Sequence, residues 1–276
     1  MKYKIEKNTV QETLIIPLYA RKVCSELYPN LYRDETAVRL IDEIDYDFSE
    51  AEKNSRGLMQ RFGSLEVAMR QNDLAFEVRD YLKSHPNAAV VNLGCGLDST
   101  GRSCDNGSCK IYNLDFPDVI AVRNELLPAG EREENIPCDL NNTEWFGKID
   151  SSNGAVFFAS GVFYYFLTEQ VKALVQGMAD AFPGGVLVFD AANRTAVKMI
   201  AKTWLKSAKI QDVGAYFAVS DAPQEISAWD SRLQVTSRGY MLGYTDLKDP
   251  SVSGFFRFLA KIGDGMMKMQ IVKINF

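Results

Sequence analysis

Two glycines, one residue apart, follow an apolar run in Ala88-Ala89-Val90-Val91-Asn92-Leu93-Gly94-Cys95-Gly96-Leu97-Asp98. At the end of a buried strand, glycines let the backbone come close to a ligand, because a Cβ would fill the space and restrict φ. In open α/β sheets, ligands bind beyond the carboxyl ends of the strands, at the switch in strand order. A Gly-Cys-Gly triplet alone fits an ordinary turn as well as a site. Asp115 strengthens it by ending the next apolar run about 20 residues on, the spacing at which a carboxylate reaches ribose hydroxyls. Its oxygens can accept charge-assisted bonds from a vicinal diol. Asp139 ends a third short run, where it could accept a bond from an adenine amine while Leu140 packs on the ring. A turn or helix-cap role fits Asp139 equally well.

Missing features narrow the choice of cofactor. A dinucleotide fingerprint has a third glycine where this chain has Ser99, so that a helix can start tightly beneath a pyrophosphate. No Walker-type lysine follows. S-adenosylmethionine carries a carboxylate, an ammonium, a ribose and an adenine but no phosphate, so acids at two strand ends suit it better than NAD. No metal is expected. Cys104 and Cys109 are spaced too widely for a zinc clip, there is no second pair, and His85 is the only histidine.

These residues need strands to present them. Runs at Ala88–Leu93, Lys110–Leu114, Ile136–Cys138, Ala155–Ala159 and Val186–Asp190 read as buried strands. Thr168 begins a helix with Val171, Leu174, Val175 and Met178 inward, closed by Pro183-Gly184-Gly185. Apolar strands alternating with amphipathic helices predict a mainly parallel sheet covered on both faces. Upstream, Asp34 can cap a helix with Ala37, Leu40, Ile41 and Ile44 on one face. Ser64 precedes a longer helix that stops near Ser84-His85-Pro86, because proline forces the preceding residue toward extended backbone. Ala215–Val219 and Lys268–Ile274 read as antiparallel strands closing one sheet edge. The chain is thus expected to be a single α/β domain over residues 1–276. Residues 1–86 would form a helical cap, 87–200 a cofactor-binding core and 201–276 a β-rich section.

Composition excludes several partners. The 276 residues hold 31 Lys and Arg against 36 Asp and Glu, for a net charge of −5 and no basic block, so no nucleic-acid surface is expected. The longest apolar stretch, Ala155–Leu167, falls short of the roughly 20 residues that span a bilayer. Five cysteines, an odd number, and a polar start without a leader pattern predict reduced thiols and a cytoplasmic setting.

Beyond these features the chain resembles the leucine carboxyl methyltransferase family, and within it the bacterial branch of polyketide-type, tetracenomycin-like O-methyltransferases. The similar stretches are Gln11–Leu14 through Pro17–Arg21, Val90–Asp98, Asn113–Ile120 with Arg123, and Gly161–Tyr165. The resemblance implies a class I S-adenosylmethionine-dependent methyltransferase with a Rossmann-like, mostly parallel seven-stranded sheet. It also implies that Arg70 pairs with the donor's carboxylate and that Arg21 closes over the same end. Gly94, Cys95 and Gly96 would form the backbone turn, Asp115 the ribose ligand, and Asp139 with Leu140 the adenine contacts. Tyr165 would stand near the methyl-transfer centre. One departure is Ser160, where many relatives carry a glutamate near the donor's ammonium; a serine offers a hydrogen bond but no charge.

Methyl transfer from a sulfonium is an in-line displacement with an activated leaving group, so positioning can supply much of the catalysis. A carboxylate acceptor needs no base, whereas a phenol, with a pKa near 10, needs one or a nearby positive charge. With no histidine in the motif region, the sequence favours a carboxylate or another readily ionised oxygen of a small molecule. Its pocket is expected between the N-terminal helices, Phe163–Phe166 and the section containing Trp229 and Tyr240, with Phe163, Phe166 and Trp229 better suited to core. Two alternatives share the donor site: a carboxyl methyltransferase acting on a protein C-terminus, and a donor-binding protein without catalysis.

Overall fold

A computed structural model describes residues 2–5, 14–200 and 216–276. Its main sheet has seven strands: β3 (Ala89–Leu93), β4 (Lys110–Asp115), β5 (Glu133–Pro137), β6 (Ala155–Ala159), β7 (Val186–Ala191), β8 (Gln234–Gly239) and β9 (Gln270–Asn275). Their spatial order is β5-β4-β3-β6-β7-β9-β8. The pairs among β3 to β7 are parallel, and β9 runs antiparallel between β7 and β8. The order reverses direction between β3 and β6, which opens a crevice above their carboxyl ends. A separate two-residue parallel bridge joins β1 (Tyr3–Lys4) to β2 (Ile44–Asp45).

Side chains alternate across this sheet as strand geometry requires. Val90, Phe158 and Val188 face one apolar cluster, while Val91, Phe157 and Phe189 face the other. The long helix α4 (Leu58–Ser84) covers the first face, packing against β6, β7 and β9. It is preceded by α1 (Ile15–Leu27), α2 (Glu35–Glu43) and α3 (Ser49–Ser55). Asp34 caps α2 as expected, accepting the Ala37 N–H at 2.8 Å, but the helix ends at Glu43, and Ile44, expected on its apolar face, begins β2. Ser64, by contrast, lies inside α4, its hydroxyl donating back to the Gln60 carbonyl, and the helix begins six residues earlier, after Gly57. A third cluster joins Leu18 and Leu40 of α1 and α2 to Leu97, Val119 and Val122, fixing the N-terminal helices beside the crevice.

α5 (Thr100–Ser103) and α6 (Pro117–Leu126) lie on the same face as α4, with Gly101 facing Ile111 and Phe158 and Arg123 bonded to Asn135, while α7 (Thr168–Ala181) covers the second face. Val171, Leu174, Val175 and Met178 of α7 point inward as the periodicity requires. The remaining helices are α8 (Arg194–Ile200), α9 (Ala222–Ser227) and α10 (Gly254–Gly265).

The structure corrects the terminal section. Ala215 lies outside the described residues, and Tyr216–Val219 forms no strand. That segment is an extended plug: Phe217 and Val219 are buried, the Tyr216 N–H donates to the Tyr164 carbonyl, and the Val219 N–H donates to the Ala192 carbonyl. The seventh strand is β8, which has no fully buried side chain and so leaves no apolar run to detect. Strand β5 likewise starts earlier than its apolar end suggests, because only Ile136 is buried. Among the described residues, no helix is long and apolar enough to cross a membrane.

Candidate functional site

A cavity of about 490 Å³ sits above the carboxyl ends of β3, β4 and β6, closed from the side by α1 and α4. Its size falls in the ordinary range for small-molecule sites. The glycine turn forms its floor. Gly94 and Gly96 take φ of 65° and 46°, and a Cβ on Gly94 would stand 2.6 Å from a Val162 methyl. That backbone is therefore open only to glycine. Arg123, itself buried, ties the turn down by donating from Nη1 to the carbonyls of Gly96 and Asp98, both at 2.8 Å.

Asp115 stands at the end of β4, on the cavity wall. One of its oxygens accepts the Gly96 N–H and the other accepts the Phe116 N–H, each at 2.8 Å. Each oxygen keeps a lone pair for a ligand hydroxyl. Burial raises its pKa, against the lowering effect of those two N–H groups.

The two arginines reach the cavity already paired. Arg21 of α1 contacts Asp34 at 3.1 Å and Asp98 at 3.3 Å, and also donates to the Leu97 carbonyl. Asp98 further accepts bonds from Asn92 and Thr100, so the arginine locks the glycine turn to the N-terminal helices. Arg70 of α4 contacts Asp190 at 3.0 Å, at the end of β7. The other oxygen of Asp190 accepts the Gly161 N–H at 2.6 Å.

Ser160 follows β6 and faces the same cavity. Its buried hydroxyl has no hydrogen-bond partner. Tyr165 ends a short 3-10 turn, Phe163–Tyr165, and lines the mouth while remaining 46% exposed. Leu140 lies on the wall by Asp115.

Of the ten residues singled out from the sequence, Arg21, Arg70, Gly94, Gly96, Asp115, Leu140, Ser160 and Tyr165 all line this cavity. Two do not. The Cys95 side chain is buried below the turn, and only its backbone takes part, donating to the Leu114 carbonyl. The Asp139 carboxylate is exposed and accepts the backbone and side-chain N–H groups of Asn141, so it is a turn residue. Asn141 lines the cavity in its place. Phe163 is core, as is the partly buried Trp229 at its margin, whereas Phe166 also reaches the cavity.

Three groups escaped the sequence reading. Glu66 and Gln71 line the cavity from α4, and Asp190 anchors Arg70. Asp190 was detectable as one more acid at the end of a parallel strand, and Glu66 as an acid one helical turn before Arg70. Burial lifts the Glu66 pKa to about 7, with Arg70 lowering it and Asp264 raising it. Among the described residues, no group of His, Cys, Asp and Glu is arranged to hold a metal ion.

Comparison with known proteins gives the site a context. The family model described as leucine carboxyl methyltransferase matches residues 16–179. The chain is 28% identical to the tetracenomycin polyketide synthesis O-methyltransferase TcmP of Streptomyces glaucescens, over 66% of each protein, just under two thirds of that relative's length. It is 25% identical to the S-adenosyl-L-methionine-dependent methyltransferase dpfgK of Gibberella zeae, over 87% of this chain and 85% of the other. Among solved structures, a Thermobifida fusca protein provisionally described as a methyltransferase superposes with a TM-score of 0.59 at 15% identity, covering 92% of this chain and 93% of its own.

Proposed function

The chain belongs to the leucine carboxyl methyltransferase family, a family of S-adenosylmethionine-dependent methyltransferases, and on that premise we propose that it methylates an ionisable oxygen of a small molecule bound in the same cavity. The observation that carries this reading is the convergence, on one cavity, of a turn only glycine can form, a strand-end carboxylate and a buried, partnerless hydroxyl. Those groups fit a donor with a diol, an ammonium and a carboxylate and no phosphate.

S-adenosylmethionine supplies an electrophilic methyl group, and the chain's part is to bind, orient and exclude water. Gly94 and Gly96 allow close backbone approach. Asp115 accepts the ribose hydroxyls, and Leu140 packs against the adenine. Arg70 faces the donor's carboxylate, with spare N–H groups beyond the one given to Asp190. Ser160 satisfies its hydroxyl on the ammonium. Arg21 holds the wall rather than offering a free charge. Tyr165 stands at the mouth, where it closes over the transfer centre. The TcmP relative, an O-methyltransferase of polyketide synthesis, supports a polyketide-like acceptor. Free thiols at all five cysteines support a cytoplasmic setting.

Calorimetric titration with S-adenosylmethionine tests the reading directly. We expect one saturable site, with Arg70→Ala weakening it. Absence of any binding would sink the proposal.

A further inference from the structure

S-adenosylmethionine brings an ammonium group into the cavity, and three acids on the wall could receive it: Glu66, Asp98 and Asp115. Two of them are already engaged. Asp98 accepts bonds from Arg21, Asn92 and Thr100. Asp115 holds the Gly96 and Phe116 N–H groups at the end of the cavity assigned above to the ribose. Asp190 is taken up in the same way, with one oxygen on Arg70 and the other on Gly161. Glu66 differs from all three. It is only partly buried, it lines the cavity, and among the described residues no hydrogen bond reaches its carboxylate.

Its place on the helix fits a particular ligand shape. Glu66 precedes Arg70 by four residues on α4, so the two side chains leave one face of the helix with Cβ atoms about 5–6 Å apart. Burial works against the Glu66 charge, Arg70 supports it, and Asp264 of α10 opposes it. Arg70 lies against Gly161, where a Cβ would stand 3.0 Å from Nη1, and so beside Ser160. The helix therefore presents an anion and a cation one turn apart to the same cavity. The donor's methionine end carries the matching charges, an ammonium and a carboxylate on a single carbon.

We propose that Glu66 is the counter-ion of the donor's ammonium and forms with Arg70 a clamp for the amino-acid zwitterion; this rests on the methyltransferase reading above. Arg70 takes the carboxylate, Glu66 takes the ammonium, and Ser160 shares the ammonium as an uncharged acceptor. Glu66 thus supplies the charge that a serine at position 160 lacks. Hydrogen bonds with both partners ionised are the stronger kind. The ammonium also cancels the Glu66 charge, so an anionic acceptor entering after the donor meets no unpaired acid on this wall.

Calorimetric titration with ligands that differ only at the amino-acid end tests the clamp. The probes are S-adenosylhomocysteine, its deaminated analogue with a carboxypropyl chain, and methylthioadenosine, which lacks both charges. Wild type should bind S-adenosylhomocysteine about 10-fold or more tighter than the deaminated analogue. Glu66→Gln keeps the shape and removes the charge, and should weaken S-adenosylhomocysteine about 10-fold. The same variant should bind the deaminated analogue and methylthioadenosine at least as tightly as wild type, which also shows its site to be folded. If neither S-adenosylhomocysteine nor methylthioadenosine binds wild type, the donor reading falls and this proposal with it. If they bind, three results overturn the role of Glu66 alone. These are a wild type that binds the deaminated analogue as tightly as S-adenosylhomocysteine, a Glu66→Gln variant that binds S-adenosylhomocysteine as wild type does, and a variant that weakens all three ligands alike.

Discussion

Arg70 and Asp190 meet at 3.0 Å although 120 residues separate them, and the pair joins the long N-terminal helix to the end of β7, the fifth parallel strand. The Asp190 side chain is 1% exposed, and its second oxygen holds the Gly161 N–H in a turn with φ of 70°. Removing the carboxylate therefore strands a largely buried guanidinium and a backbone donor together. We expect Asp190→Ala to cost about 3–5 kcal/mol, the range for breaking a buried pair from one side. Asp190→Asn keeps an acceptor for Gly161 and should cost less. Urea unfolding of the two variants checks the order; equal losses would show that the backbone bond carries nothing.

Asp115 offers a binding prediction. Asp115→Ala should weaken S-adenosylmethionine by about 1.5–3 kcal/mol, the range for losing hydrogen bonds to a charged group. The variant also frees the Gly96 and Phe116 N–H groups, so its folding must be followed beside the titration. Unchanged affinity in a folded variant would place the ribose elsewhere.

Most of what positions the cavity was readable because it is carried by buried, regular elements. The strand ends at Leu93, Asp115 and Ala159 follow from short, mainly apolar runs, broken only by Asn92 in the first and by Lys110 and Asn113 in the second, and those runs set the crevice. Strand β8 escaped because Gln234–Gly239 pairs through its backbone at an edge without burying a side chain. Phe217 misled in the opposite sense: it is apolar because it plugs the core, not because its segment pairs in the sheet. Asp139 and Asp115 have the same local context in sequence. Only the fold shows that one carboxylate turns into the cavity while the other bonds forward to Asn141. Glu66 left only a local trace, its spacing from Arg70; its place on the cavity wall and the influence of Asp264 on it come from the fold.

Asp73 predicts how stability responds to pH. It is buried, accepts the Met241 N–H at 3.1 Å, and so holds a turn in which Met241 has φ of 73°. Burial pushes its pKa from 3.8 to about 7; the Met241 N–H lowers it, and Asp264 and Glu77 raise it. The folded state therefore keeps this proton where the unfolded chain has lost it, and stability falls as pH rises from about 4 to 7. Asp73→Asn retains an oxygen acceptor without the charge. Its stability relative to wild type should improve steadily across that window and level off above it, as read from urea midpoints at pH 4.5, 6 and 8. A difference independent of pH would mean that Asp73 is ionised throughout.

Ser160 gives opposite predictions for the free and donor-bound protein. Its hydroxyl is buried on the cavity wall without a partner, and such a group destabilises the fold that contains it. Ser160→Ala removes the unsatisfied oxygen with little change in shape, so the free variant should be more stable by up to about 1 kcal/mol. The same change deletes the hydrogen bond that the donor's ammonium would make, and should weaken S-adenosylmethionine by about 0.5–1.5 kcal/mol. Methylthioadenosine lacks the amino-acid end and should bind both proteins equally. Denaturation without ligand and titration with the two ligands separate the terms. A variant that is less stable and binds both ligands as wild type does would make the hydroxyl a packing group, and would leave the ammonium to be held by another residue of the cavity.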